Sequence, residues 1–333
     1  GWLDFNTSVR AASPDFTRID TKATDPALLY FSSGTTGNPK MVLHDMTYSL
    51  AHIPTAKHWH NVVSDGGLHF TIADTGWGKA VWGKYYGQWL MEACVFTYDF
   101  DRFHPSEILT LIEKYSMTTL CCPPTMYRLM MNEGIDNYDL SSLVYCTTAG
   151  EALNPDLYNK WLAHTGLKLV EGFGQTETVL TICNLKGDTI KPGSMGRPSP
   201  QFTVMLFDGE KRHCNPGQTG EVCIKLEEGL TPGIMMEYYR NDAKTAEAMH
   251  DGWYHTGDTA WVDEDGYFWY VGRNDDVIKS SGYRIGPFEV ESVLLEHDAV
   301  RECAVAGVPA PVRDFAGKAT VVLNDSFEEP AEL

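Results

Sequence analysis

Between residues 93 and 172 short apolar runs and longer amphipathic stretches take turns along the chain. The runs at 93–98, 118–122, 143–148 and 168–170 read as strands. The stretches at 105–115, 125–132 (opened by Pro123-Pro124) and 155–165 read as helices. This βαβα rhythm predicts a parallel sheet covered on both faces, with ligands beyond the carboxyl ends of its strands. Three loops of small and polar residues, at 32–40, 149–151 and 171–177, follow strands in that way.

The flanking regions carry other patterns. Residues 45–57 predict a helix behind the first loop, and 68–74 a short strand. In 76–90 glycines and aromatics alternate too irregularly for a clean helix face. Trp77, Trp82, Tyr85, Tyr86 and Trp89 suit either core or the wall of an apolar pocket. After residue 180 short strands and Gly/Pro turns predict an antiparallel region, a distorted barrel or a small sheet, with a hairpin at 261–272 turning on Asp265-Gly266. A polar strip at 272–286 precedes a helix at 287–297, which begins on proline and turns Leu294 and Leu295 inward. Strands at 301–308 and 318–323 and an acidic tail follow. The expected fold is α/β. A large domain, 1–274, has mostly parallel sheets plus a small barrel-like region; a hinge leads to a small, incomplete α+β domain, 275–333.

Composition narrows the function. The 333 residues are 43% hydrophobic, enough for a sizeable core, and no apolar run is long enough to cross a bilayer or reads as a signal peptide. A net charge of −19 disfavours nucleic acid and anionic membranes as partners. Eight cysteines without a C-x-x-C pair read as reduced thiols in a cytoplasmic protein. His58 and His60 stand alone and are weak candidates for metal ligands; Asp263, Glu264 and Asp265 lack EF-hand spacing and read as a turn.

The chemistry concentrates in four places. In LLYFSSGTTGNPK, 28–40, an apolar strand runs into a loop where Gly34 and Gly37 let backbone N–H groups approach an anion. Ser32, Ser33, Thr35 and Thr36 add hydroxyls there and Lys40 a charge. It is not a Walker A loop, since Pro39 precedes the lysine and no Ser or Thr follows it. In EGFGQTET, 171–178, glycines on both sides of Phe173 suit a flat ligand with the ring free to stack. Thr176 offers a hydroxyl to phosphate and Glu177 a hard oxygen to Mg²⁺. In WYHTGD, 253–258, Asp258 suits the two hydroxyls of a ribose. The fourth is the charged strip with Arg273, Asp275, Lys279, Gly282 and Arg284.

In this order and spacing the four stretches resemble the adenylate-forming superfamily of acyl-CoA synthetases, luciferases and peptide-synthetase adenylation domains, from about residue 25 to 323. ADTGWGKAVWGKYYGQWL, YDFDRF, TTAGEALNP and KPGSMGRPSP are most similar to the medium-chain acyl-CoA synthetase branch. The resemblance implies that residues 32–40 hold the β- and γ-phosphates of ATP, and that Gly150, Glu151, Glu171, Gly172 and Phe173 frame adenine. It implies that Thr176 touches the α-phosphate, Glu177 the Mg²⁺, and Asp258 and Arg273 the ribose. It makes Asp275 the hinge, puts Gly282 beside the pantetheine arm of coenzyme A and Arg284 near the phosphate. Acetyl-specific relatives carry Trp where this chain has Gly174, so a deeper pocket and a medium-chain, branched or aromatic acid are expected, with Trp77 a wall or gate. The implied partners are the acid and coenzyme A, with a homo-oligomer left open. The resemblance also implies a long region before the phosphate loop and a late lysine in a P-x-x-x-x-G-K loop. Neither is in these residues, so a piece of a larger enzyme is expected, adenylation being the half-reaction most exposed. The competing reading is a non-catalytic nucleotide-binding fragment; a peptide-synthetase domain is a weaker third.

Overall fold

The computed structural model describes residues 3–32, 39–62, 66–74, 76–280, 283–297, 299–310, 314–324 and 327. Its centre is a seven-stranded sheet in the order Cys94–Phe96, Leu68–Thr71, Thr119–Cys121, Tyr145–Ala149, Leu169–Phe173, Ile182–Cys183, Arg197–Pro198. The first five strands are parallel and the last two antiparallel. The predicted helices are present as Pro105–Tyr115, Pro124–Glu133 and Pro155–Thr165, each with proline at its start, where the missing N–H costs nothing. Their buried stripes (Ile108, Leu109 and Ile112; Tyr127 and Met130; Leu157 and Trp161) form one core with Leu120, Cys146 and Leu169. The opposite face packs against Trp59 and Trp82. Leu169 and Val170, adjacent on one strand, enter different clusters, as the period of two requires.

The fold is α/β as expected, but among the described residues parallel pairing is confined to this sheet rather than spread over most of the sheets. A three-stranded antiparallel sheet joins Pro26–Ser32, Lys40–Asp45 and Glu237–Tyr238. The region after residue 200 is an open antiparallel sheet, not a barrel. Val204–Phe207, Gly220–Lys225 and Trp253–Val262 are neighbours, and Met249–His250 and Phe268–Arg273 also pair with the long strand. No closed barrel exists among the described residues.

Two local expectations also change. The segment 45–57 is not one helix. Residues to Asp45 complete a strand against Pro26–Ser32; the α-helical turn Tyr48–Ala51 is interrupted at His52 before Ile53 and Pro54 lead into the π-helical turn Thr55–Trp59. The irregular run 76–90 is two short helices, Gly78–Lys84 and Tyr86–Leu90, broken at Tyr85 with φ −115° and ψ −98°. Gly83 and Gly87 are points of close contact within these helices. A Cβ on Gly83 would stand 2.2 Å from Thr71 Oγ1, and one on Gly87 2.4 Å from the His52 carbonyl oxygen.

The C-terminal part is a four-stranded antiparallel sheet, Tyr283–Ile285, Ile278–Ser280, Asp314–Leu323, Val300–Ala310, with the helix Pro287–Leu294. The polar strip thus forms a hairpin. Leu294 and Leu295 are half-buried, and the helix buries no residue fully. It lies against the strand Phe268–Arg273: a Cβ on Gly286 would stand 2.2 Å from the Val271 carbonyl oxygen, and Asn154 Nδ2 donates to the Ser292 carbonyl at 3.0 Å. All eight cysteines are free, six of them buried.

Replacing Gly87 by Ala is expected to destabilise the fold by about 1–3 kcal/mol, because a backbone carbonyl and the Ala56 side chain meet the new carbon. Denaturant unfolding checks this against Gly209→Ala, where nothing lies within 4 Å of the added methyl and little change is expected.

Candidate active site

The strand Tyr145–Ala149 ends in Gly150, whose φ of +96° turns the chain towards Glu151. Its neighbour Leu169–Phe173 runs on into Gly174, Gln175, Thr176 and Glu177. Ser32 and Lys40 are paired across the first hairpin, and the antiparallel sheet supplies Asp258, Tyr270 and Arg273. These ends meet around a cavity of about 490 Å³, which all of them line together with Ala152, Glu171, Gly172, Phe173 and Met195.

Asp258 anchors one wall. Strand register sets it opposite Arg273, whose Nη1 lies 3.8 Å from Asp258 Oδ1. Gln175 Nε2 donates to Asp258 Oδ2 at 2.5 Å and to the Thr256 carbonyl at 2.9 Å, Tyr254 donates to Gln175 Oε1 at 2.6 Å, and Tyr270 donates to Asp258 Oδ1 at 3.2 Å. Burial pushes the Asp258 carboxyl up to about 6, against the pull of Arg273 and Gln175.

On the opposite wall Glu177 is buried and its Oε1 accepts from the Tyr238 hydroxyl at 2.7 Å, while the Lys40 ammonium stands 5.5 Å from the centre of the Tyr238 ring. Burial pulls the His44 pKa down to about 4, so the ring is neutral and its Nε2–H donates to the Thr176 carbonyl at 2.7 Å. Glu171 takes one hydrogen bond, from the Leu153 N–H to Oε1 at 3.1 Å, and its buried Oε2 has no hydrogen-bond partner among the described residues. Burial pushes this carboxyl up to about 8, leaving it protonated at neutral pH.

A second cavity, of about 460 Å³, adjoins the first and shares Ser32, Gly150, Glu151, Gly174, Gln175 and Thr176 with it. Trp77 is exposed at its edge, while Trp82 is buried with its indole against Gly174. A Cβ there would stand 2.3 Å from the ring and 2.6 Å from the Val179 carbonyl oxygen. Lys79 also lines this space and donates to the Ala149 carbonyl; burial lowers its pKa. Sequence reasoning passed over Lys79, Gln175 and Tyr270. Lys79 lies in an aromatic run with no recognisable period, and the other two gain their roles only when strands 80 or more residues away close on the cavity or, for Tyr270, across a hairpin.

Of the other expected residues, Ser33, Gly34, Thr35, Thr36, Gly37 and Gly282 lie outside the described residues. Arg284 is placed by its backbone alone, paired with Lys279 in the C-terminal sheet. Asp275 accepts from Arg273 Nε at 3.4 Å and lines a separate cleft between the large sheet region and the C-terminal part. Asp263 and Asp265 hold Lys191 at 2.6 Å each, which closes their turn with a cation of the chain itself. His60 is buried against Thr147 at 3.1 Å.

A pair of joined cavities at the carboxyl edge of a parallel sheet, walled by the buried Asp258 with Arg273 beside it and by a glycine-flanked aromatic, is where an α/β fold places its ligands. The chain belongs to the AMP-binding enzyme family: the family model matches residues 3–239, and that of the AMP-binding enzyme C-terminal domain matches 289–333. Among its relatives, acyl-coenzyme A synthetase ACSM3, mitochondrial, of Rattus norvegicus is 42% identical over 329 residues, and acyl-coenzyme A synthetase ACSM5, mitochondrial, of Homo sapiens is 43% identical over 328. Each alignment covers 98% of this chain and 56–57% of the relative, so the chain spans little more than half the length of these proteins. An anthranilate CoA ligase, AuaEII, solved with anthranoyl-AMP matches with TM-score 0.89 at 31% identity, covering 100% of this chain and 62% of that one. A benzoate CoA ligase from Burkholderia xenovorans matches with TM-score 0.85 at 26% identity, covering 98% and 64%.

The protonated Glu171 has a measurable consequence. A carboxyl whose pKa is raised on folding binds its proton more tightly in the folded state, so stability falls as pH rises from the ordinary glutamate value to about 8, by about 1.4 kcal/mol per unit of pH, and is flat beyond. Glu171→Gln removes that slope. Denaturant midpoints across this range are expected to show the variant gaining on the parent as pH rises.

Proposed function

We propose that this chain carries the nucleotide and acid sites of an ATP-dependent acid–thiol ligase, which activates a carboxylic acid larger than acetate as its acyl-adenylate and passes the acyl group to coenzyme A. The observation that carries this reading is the junction of the two cavities: the backbone from Gly174 to Thr176 is a wall of both, so a carboxylate in one meets an α-phosphate in the other.

The residues divide the work as follows. Asp258, held by Gln175 and Tyr270 and opposed by Arg273, accepts from the ribose hydroxyls. Phe173 lies along the base between Gly172 and Gly174, with Gly150, Glu151 and Glu171 around it. Thr176 donates to the α-phosphate, and Lys40, Ser32 and the loop 33–37 take the remaining phosphates. Glu177 is a buried carboxylate held by a neutral hydroxyl, a donor that fits a hard cation. Glu177 would hold a Mg²⁺ ion arriving with ATP, and the chemistry supplied there would be charge neutralisation of the pyrophosphate. The rest is positioning and electrostatics. The acid's carboxylate attacks the α-phosphorus and pyrophosphate leaves; the thiolate of coenzyme A then attacks the acyl carbonyl and AMP leaves. No side chain of the protein forms a covalent intermediate.

The space beside Gly174 is filled by the Trp82 indole, so it is the neighbouring cavity of about 460 Å³ that supports an acid with more than two carbons, and the anthranilate and benzoate ligases named above act on such acids. Trp77 at the edge and Trp82 at the floor bound its length. We assign residues 1–274 to the large domain and 275–333 to the mobile one, with Asp275 as hinge, Gly282 near pantetheine and Arg284 near phosphate. No described helix is long and apolar enough to cross a membrane. The free thiols suit a reducing compartment; we keep the cytoplasmic reading beside the mitochondrial one that the relatives' names suggest.

Carboxylate-dependent ATP–pyrophosphate exchange on this chain, with acetate, butyrate, octanoate and benzoate, tests the proposal. Exchange with the larger acids and little with acetate is the expected outcome. ATP binding without exchange would favour the nucleotide-binding fragment. A second measurement isolates Asp258. Its carboxyl accepts most strongly from ribose when ionised, because charge-assisted hydrogen bonds are about twice as strong as neutral ones, so AMP affinity is expected to fall as pH drops through about 6. Asp258→Asn is expected to bind AMP about tenfold or more weakly and without that pH dependence, by calorimetry.

A further inference from the structure

On the solvent-facing side of the antiparallel sheet, three side chains with metal-binding atoms share one face of two paired strands. Glu221 and Cys223 are two residues apart on Gly220–Lys225, and register sets Cys223 opposite His255 on Trp253–Val262. The bulge between Glu221 and Cys223 brings the carboxylate back to the same ring. Cys223 Sγ lies 3.3 Å from His255 Nδ1, and Glu221 Oε2 lies 3.0 Å from that nitrogen. The three donor atoms are all within 4.8 Å of one another.

We propose that Glu221, Cys223 and His255 form a three-ligand site for a borderline-soft divalent cation of the Zn²⁺ class, with water completing the tetrahedron.

Three observations carry it. First, one ring nitrogen faces both a thiol and a carboxylate. Neutral imidazole can give that nitrogen a proton or a lone pair but not both, so only one neighbour is satisfied at a time. A cation between them is bound by all three lone pairs. Second, the spacing is close to what zinc requires. Usual Zn–S, Zn–N and Zn–O lengths at a tetrahedral angle put sulfur and nitrogen about 3.5 Å apart and nitrogen and oxygen about 3.4 Å apart, so shifts of a few tenths of an ångström suit those two pairs; the thiol and the carboxylate, within 4.8 Å of each other, come to about 3.6 Å when the ion binds. Third, the ligands are held from outside. Glu221 Oε1 accepts from the Gly257 N–H at 3.0 Å, and the His250 ring stacks on His255 at 3.9 Å while its own Nδ1 lies 3.1 Å from Asp251. Cys223 is fully buried, whereas Glu221 and His255 keep a share of solvent exposure, which gives an entry path. Burial raises the thiol's pKa, so without a metal it stays neutral. On binding, the thiol proton leaves to water and the sulfur donates as thiolate.

The test is titration of the metal-stripped 333-residue chain with Co²⁺ alone. A thiolate-to-cobalt charge-transfer band that saturates at one equivalent and is displaced by Zn²⁺ is expected. Cys223→Ala should abolish the band with the far-UV circular dichroism unchanged. Glu221→Gln keeps an oxygen for Gly257 and leaves the thiol in place; it should keep the band but weaken Co²⁺ binding by more than the roughly tenfold typical of a lost outer contact. Zn²⁺ addition to the parent in weak buffer should release about one proton per chain at neutral pH. No charge-transfer band in the parent, a band that survives in Cys223→Ala, or Co²⁺ affinity unchanged in Glu221→Gln overturns the assignment.

Discussion

Three carboxylates, Glu171, Glu177 and Asp258, are buried around one cavity, and the surrounding structure is arranged to keep them there. A carboxylate removed from water costs several kcal/mol unless it is paired, hydrogen-bonded or protonated. Each is managed differently. Glu171 has one backbone donor and keeps its proton. Asp258 keeps a nearby guanidinium and two side-chain donors. Glu177 leans on a tyrosine hydroxyl. Tyr238, Tyr254 and Tyr270, which might be taken for core aromatics, all end on this network: their rings supply apolar packing and their hydroxyls reach the acids directly or through Gln175.

Close backbone packing is the second constraint. The two short helices at 78–90 approach the central sheet and the turn before Thr55 only because Gly83 and Gly87 lack side chains. That approach carries Trp82 to the wall of the second cavity and Lys79 to the edge where the sheet strands end. Gly174 completes the arrangement from the other side, where the indole occupies the volume its own side chain would need.

Much of this was legible in the sequence, for identifiable reasons. Helices that begin on proline and carry an apolar stripe announced themselves, and so did the strands that alternate with them. The loops that wall the first cavity stood out because glycine, threonine and acid cluster there locally. The hairpin through Lys40–Asp45 did not, since its pairing partner Pro26–Ser32 lies across the loop and nothing local distinguishes KMVLHD from the start of a helix. The open sheet could be read as a distorted barrel or a small sheet because short strands and turns look alike in both, and closure is decided by pairing at the edges. Glu221, Cys223 and His255 were invisible as a group, since 32 residues of chain separate the thiol from the imidazole.

Arg273 stands between two acids, Asp258 in the cavity and Asp275 in the cleft beside the C-terminal sheet. The guanidinium is a shared resource: whatever occupies Asp258 alters how much of it is free for Asp275. By linkage, any change in the cleft returns to the cavity with the same free energy. Cavity and cleft therefore share one cation, held by a single side chain at the end of one strand.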